Sequence, residues 1–330
     1  MRAIVCRQWG GPENLTLEDV PPPSPGPDEI LIGVRRAAVN YADAIMVRGH
    51  YQTKPALPFS PGIEAVGEVL ARGDAVTGFA PGDRVMALVW HGGFAEQVVA
   101  NPVETFKLPD DMDMDAAAAM LGAYVSSHVA LRWQGRLEAG ETLLVLGAGG
   151  GVGLAAVEIG RAMGARVVAA ASADARLALA RAHGADAVVN YADGDLRAGV
   201  AALTDGRGVD ICFDPVGGPL FDQALSSLAW GGRILLIGFV GGIQRIPANR
   251  LLVKHRSALG SSLRYFRNQR PDLLRRSVEE LCGWHADGKV RPTVSAVYPL
   301  AEVPAAMRAL VDRQVVGRVI AAIDDGDRPP

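Results

Sequence analysis

Residues 143–180 read LLVLGAGGGVGLAAVEIGRAMGARVVAAASADARLALA, and this stretch decides the fold. A short apolar run enters Gly147, and Gly150 and Gly153 follow at three-residue spacing before a helical segment begins. A strand that turns into a helix this sharply needs residues without a Cβ at the turn. The first N–H groups of the helix, together with its dipole, then form an anion site. Three spaced glycines alone are a weak signal. Between a strand and a helix of a βαβ unit they mark a dinucleotide-binding loop, which assigns Gly147, Gly150, Gly151, Val152 and Gly153 to a pyrophosphate.

Outward from this loop the pattern repeats. Apolar runs start at Leu143, Arg166, Ala187, Val209, Arg233 and Ser257, each 21 to 24 residues after the last, with helical stretches between. Continuous apolar strands alternating with helices predict a parallel sheet covered on both faces. Six strands fit a doubly wound Rossmann domain, set at residues 119–262. Its second strand ends Ala169, Ala170, Ala171, Ser172, with no carboxylate at the tip to bind a ribose 2′-hydroxyl. Ser172 and Arg176 suit a 2′-phosphate instead, so the expected cofactor is NADP(H) rather than NAD. Asp174 is the objection, read here as a cap of the following helix.

The first 110 residues are different: short apolar or alternating runs (AIVC, EILIGVRRAAV, AVGEVLA, DRVMALV) separated by proline and glycine clusters. They predict a small β-rich barrel or sandwich. After about residue 263 the βα rhythm lapses into an amphipathic helix (270–290) and short strands near VSAVYPL and GRVIAAI. The Rossmann domain therefore reads as inserted, with residues 1–118 and 263–330 forming the other lobe. The tail DDGDRPP is expected to fray.

Composition narrows the function. The 330 residues are 49% hydrophobic and 21% charged, enough for a packed core. A net charge of −3 argues against nucleic acid or an anionic membrane as partner. Cys6, Cys212 and Cys282 form no close pair, which leaves neither a disulfide framework nor a zinc ribbon. The N-terminus lacks the apolar run of a signal peptide, and the uncharged stretch 142–157 is short for a span of about 20 residues. The expectation is a soluble, cytoplasmic protein. Glycine is in excess, 39 of 330 residues against an ordinary share of about 7%.

The segments VNYADAIMVRGHY (39–51), LPFSPGIEAVGEV (57–69), PGDRV (81–85), GGFAEQVV (92–99), GAGGGVG (147–153), HGADAVVNY (183–191), VDICFDPVGG (209–218) and GGRILLIG (231–238) together resemble the zinc-independent medium-chain dehydrogenase/reductase family, in its quinone oxidoreductase, or zeta-crystallin-like, branch. The resemblance spans nearly the whole chain. It implies a GroES-like barrel lobe beside the Rossmann domain, with the nicotinamide in the cleft between them. It implies 2′-phosphate contacts from Ser172, Arg176 and Tyr191, and a nicotinamide-side role for Ser126, where the family usually has threonine. It also implies that the loops carrying Asp214 and Gly217, and Gly238 and Phe239, line the cofactor. Position 147, usually alanine in this branch, is glycine here.

Zinc-dependent relatives carry cysteine where this chain has Asn40 and histidine where it has Ile63, and the four-cysteine structural lobe is missing. No metal is therefore expected. The implied activity is NADPH-dependent reduction of a quinone or a carbonyl-conjugated alkene. Asn40, Asp43 and Tyr51 are the polar residues expected near that small-molecule acceptor. Asn40 and Tyr51 would hydrogen-bond its oxygen, and Tyr51 could relay a proton. The plainer readings are that Asp43 ties the loop to Arg48 and that Tyr51 is a wall aromatic. Glu64 is expected to bond lobe backbone, and His128 and Trp90 to be core or wall residues. Arg264, Tyr265 and Arg267 either favour an anionic substrate or begin a solvated helix. Alternative functions are a non-enzymatic NADPH-binding protein (a sensor or RNA-binding module), a metal-free alcohol dehydrogenase relative, or an enoyl or acryloyl thioester reductase. Similar proteins are usually homodimers joined through Rossmann edge strands, a role that would suit RILLIGF.

Overall fold

The computed structural model describes residues 1–192 and 194–323. The tail expected to fray lies outside the described residues. The chain divides into two compact units, residues 1–122 with 292–330, and residues 123–291. The lapse of the βα rhythm in the sequence predicts a return to the first lobe at residue 263. The second unit instead runs on to residue 291, because the helices after the last Rossmann strand belong to it.

In the first unit, strands β1 (Arg2–Cys6) and β2 (Leu15–Asp19) form an antiparallel pair. Next come β3 (Ile30–Ala38), helix α1 (Tyr41–Val47), β4 (Glu64–Arg72), β5 (Arg84–Leu88), β6 (Gln97–Ala100) and β7 (Thr105–Lys107). Alternation is visible in β3, where Ile30, Ile32 and Val34 are buried while Leu31 and Gly33 are less so, as a one-faced antiparallel strand requires. Helix α2 (Met114–His128) follows, and the unit boundary falls inside it. The helix closes in a π turn over Val129–Gln134, with Gly135 N–H donating to Ala130 O at 2.7 Å. A Cβ on Gly135 would lie 2.8 Å from Ile211 Cδ1, so the turn ends where the backbone lies close against the sheet.

The second unit carries β8 (Thr142–Leu146), α3 (Gly151–Ala162), β9 (Arg166–Ala171), α4 (Asp174–Ala182), β10 (Ala187–Asn190), α5 (Leu196–Leu203), β11 (Val209–Asp214), α6 (Leu220–Ser226), β12 (Leu228–Leu236), α7 (Ala248–Val253) and β13 (Ser257–Gly260), then α8 (Leu263–Gln269) and α9 (Pro271–Ala286). All six strands are parallel, in the order β10-β9-β8-β11-β12-β13. This is the doubly wound Rossmann sheet, with the switch point between β8 and β11. All five residues of β8 are buried, and the cluster around Leu144, Val168, Cys212 and Ile234 fills one face. The strand expected at Arg233 begins five residues earlier. It is interior rather than an edge, because β13 pairs outside it.

The chain then returns to the first unit with β14 (Val294–Pro299), α10 (Val303–Val311) and β15 (Arg318–Ala322). The large sheet there runs β14-β15-β3-β4-β5-β7, with β6 on β3. On one edge β3 is shared. Ile30–Gly33 pair with β6, while Arg36–Ala38 pair with β15. Among the described residues the sheet's strands follow one path, with β14 and β7 at the ends. Its core packs Ile4, Ile32, Val69, Phe94, Met307 and Val319.

Candidate active site

The glycine loop forms as its residue types dictate. Gly147 takes φ +59, a left-handed conformation open to glycine, and Gly150 is the N-cap of α3. A Cβ on Gly153 would lie 2.2 Å from Gly147 O, which is how close the helix comes to the turn. At Gly150 the nearest such contact is 3.4 Å, so the loop is open there. Gly151, Val152 and Gly153 are the first residues of a 12-residue helix, whose leading N–H groups lack intrahelical acceptors. This cradle fits a dinucleotide pyrophosphate.

Gly149, which the spacing rule passes over, is constrained from a distance. Its Cβ would meet Arg176 Cβ at 2.5 Å, so the start of α4 lies directly on the loop. Nothing in the local sequence signals this contact. Ser172 is exposed and follows the end of β9, and Tyr191 N–H donates to Ala171 O at 3.1 Å. Ser172 and Tyr191 therefore share one end of the sheet, with Arg176 on the first turn of α4. Asp174 does not cap α4: the N-cap is Ala173, and Asp174 is the first helical residue. Its carboxylate Oδ1 accepts from Asn190 Nδ2 at 2.9 Å.

The loops after β11 and β12 are joined backbone to backbone. Gly218 N–H donates to Gly242 O at 2.9 Å and Gly241 N–H to Val216 O at 2.7 Å. Gly217 and Gly218 both have positive φ, and a Cβ on Gly218 would lie 2.2 Å from Gly241 O. Asp214 is buried and builds this turn: its Oδ1 accepts from the N–H groups of Val216 and Gly217, each at 2.8 Å, and burial raises its pKa. Gly238 packs on Pro215 O, while Phe239 is exposed. Ser126 is half-buried. Its neighbour Ser127 is the one that reaches the glycine loop, with Oγ 2.9 Å from Val152 O.

In the first unit Asn40, Asp43 and Glu64 converge with Arg318. Asn40 precedes α1, and its Nδ2 lies 2.6 Å from Glu64 Oε1 and 3.3 Å from Ala38 O. Its Oδ1 accepts from Arg318 Nη1 at 2.8 Å. Both amide hydrogens of Asn40 are thereby engaged, which bears on the oxyanion role expected of it. Glu64 is fully buried and accepts Gly122 N–H at 2.8 Å, as expected of a backbone-bonding residue. Gly122 has no room for a side chain, since a Cβ there would lie 2.0 Å from Glu64 Oε1. Asp43 accepts the Asn40 N–H through Oδ2 at 2.8 Å, a partner that stands in place of the expected Arg48. Burial drives its carboxyl up to about 7, and the Glu64 charge adds to the rise. Burial also raises Glu64, against the pull of Arg318. Tyr51 packs against the unit's core. The sequence reading did not single out Arg318, which reaches this cluster from β15.

Of the remaining expectations, His128 is wholly buried between Trp133 and Trp284. Arg264, Tyr265 and Arg267 belong to the short α8, where Tyr265 is exposed and stacks edge-on with buried Phe266. Among the described residues no three His, Cys, Asp or Glu side chains come together as a metal-binding group. No described helix is long and apolar enough to cross a membrane.

Residues 26–110 match the alcohol dehydrogenase GroES-like domain, and residues 151–279 match a domain described as zinc-binding dehydrogenase. Quinone oxidoreductase-like protein 2 of Rattus norvegicus is 35% identical over 324 residues, covering 98% of this chain and 92% of the relative. The chain belongs to the medium-chain dehydrogenase/reductase family, in its quinone oxidoreductase branch. Among solved structures, a mycobacterial protein complexed with NADPH superposes with TM-score 0.92 at 32% identity, over 98% of this chain and 100% of that one. The quinone oxidoreductase of Escherichia coli complexed with NADPH gives the same TM-score at 26% identity, over 98% and 100%.

Proposed function

We propose that this protein is a cytoplasmic, NADPH-dependent reductase that passes a hydride to a quinone or to an alkene conjugated with a carbonyl, without a metal. The observation that carries the reading is the end of β9. No carboxylate follows Ala171 at the tip, Ser172 is exposed there, and Arg176 packs onto the glycine loop through Gly149. The NADPH bound by two similar structures supports the same cofactor. When bound, NADPH supplies the hydride. Ser172, Arg176 and Tyr191 hold the 2′-phosphate, and Gly147 to Gly153 hold the pyrophosphate through backbone N–H groups. Ser126, Asp214, Gly217, Gly238 and Phe239 shape the rest of the cofactor surface, Asp214 by fixing its turn rather than by contact.

On the acceptor side we assign the hydrogen bond to the acceptor oxygen, and the proton that follows, to Tyr51. Asn40 and Asp43 position that region, because the Asn40 amide is committed to Glu64 and Arg318. Asn40 and Ile63 also supply neither thiolate nor imidazole at the two positions where zinc-dependent relatives have them. The reading therefore favours acceptors that are already electron-poor over alcohols.

The working form is a homodimer joined along β13. That strand ends the sheet, and Trp230, Ile243, Leu252 and Val253 of the same unit are strongly exposed. Unpaired edges and apolar patches of this kind are commonly covered by a partner.

The test is NADPH oxidation with 1,2-naphthoquinone and with short enones. Turnover with either supports the reading. Cofactor binding with no turnover on both classes overturns the substrate assignment.

A further inference from the structure

Asp174 is a carboxylate beside the surface assigned to the 2′-phosphate, which it would repel. One oxygen of its carboxylate is engaged by a neighbouring strand. Asn190, the last residue of β10, donates from Nδ2 to Asp174 Oδ1 at 2.9 Å. The direction of that amide is set independently, because Asn190 Oδ1 accepts the Ala192 N–H at 3.0 Å. A flipped amide would lose both bonds, so the NH2 end is presented to Asp174. The register places the pair at the relevant edge: Asn190 lies opposite Ala171, the residue before Ser172, and Tyr191 follows Asn190 directly.

We infer that Asn190 is a positioning residue for cofactor choice: it ties the Asp174 carboxylate to the end of β10 and so clears the ground around Ser172, Arg176 and Tyr191 for a 2′-phosphate. The inference rests on the NADPH reading above. Asp174 keeps its place at the α4 N-terminus, where the dipole favours a negative charge, with its Oδ1 committed to Asn190. Released from Asn190, the same carboxylate becomes an acceptor for a ribose 2′-hydroxyl, the arrangement that favours NADH.

The experiment is fluorescence titration of NADPH and NADH into the full-length protein and its variants. In N190A the NADPH dissociation constant rises about tenfold while that for NADH holds or falls. In the double variant N190A/D174A, NADPH affinity returns to within about threefold of the unsubstituted protein, because the released charge is gone. Thermal unfolding of each variant accompanies the titrations. Equal weakening of both cofactors in N190A, or no recovery in the double variant, overturns the inference and leaves Asn190 a structural residue. The unsubstituted protein tests the underlying reading separately: NADH bound more tightly than NADPH there overturns the NADPH assignment itself, whatever the variants do.

Discussion

Arg318 and Asn40, 278 residues apart, meet through a 2.8 Å hydrogen bond from Nη1 to Oδ1. The guanidinium also donates from Nε to Ala119 O at 3.1 Å and stands 3.7 Å from Glu64 Oε1. Both charged side chains are almost fully buried, 7% and 1% exposed. Removing one partner of a buried pair leaves the other uncompensated. Arg318→Met is expected to lower unfolding free energy by about 3 kcal/mol, measured by urea denaturation. Adding Glu64→Gln to that variant should recover part of the loss. No recovery would mean the charges are not coupled.

Asp43 makes stability depend on pH. Its folded pKa is raised to about 7, against about 3.9 in an unfolded chain. The buried neutral acid therefore contributes stability that is fully present below about pH 4 and is lost as pH rises through about 7. Glu64 is raised too, so its contribution has the same sign. Asp43→Asn keeps an acceptor for the Asn40 N–H and removes one titration. Its stability relative to the unsubstituted protein should improve between pH 5 and 8, by on the order of 1 kcal/mol or more. Urea midpoints at four pH values decide it, and parallel curves would refute it.

Arg176→Ala should weaken NADPH binding at least tenfold and NADH by less than twofold, since only the former has a phosphate to lose. Calorimetric titration of both cofactors reads this directly. Equal losses would reject the phosphate contact.

Two glycines of the same loop should behave differently. Gly153→Ala forces a Cβ to 2.2 Å from Gly147 O and is expected to cost both folding stability and cofactor binding. Gly150→Ala meets only a 3.4 Å contact, so its melting temperature should stay close to that of the unsubstituted protein. It should still lose NADPH affinity about tenfold, since the methyl group enters the proposed pyrophosphate cradle. Differential scanning fluorimetry with and without NADPH separates the two effects.

Leu252→Asp places a charge on the exposed face of α7. In sedimentation velocity it should shift the protein from dimer to monomer while leaving NADPH binding intact. An unsubstituted protein that is monomeric at micromolar concentration would remove the proposed interface.

The Rossmann half was legible because its signals are local. Each strand announces itself by an apolar run, and Gly147, Gly150 and Gly153 lie within seven residues. What escaped is non-local. Arg318 reaches Asn40 only after β15 pairs with β3, and nothing around residue 318 distinguishes that arginine from a surface one. Gly149 looks dispensable until α4 places Arg176 against it. Asp174 read as a cap because Asp commonly takes that position. The competing acceptor demand came from Asn190, 16 residues later. The βα rhythm ends the Rossmann unit too early because α8 and α9 follow its last strand, and the next strand, β14, belongs to the other sheet.

The divided edge of β3 has a consequence for how the chain is made. Its first half finds β6 within the next 70 residues, whereas Arg36–Ala38 wait for Ile320–Ala322. A ribosome must finish the entire second unit, residues 123–291, before that partner emerges. At roughly 5–20 residues per second, the N-terminal sheet spends tens of seconds with a bare edge. Unpaired edges recruit other chains, so nascent protein is most prone to aggregation during this interval, and slow codons between residues 123 and 317 would lengthen it.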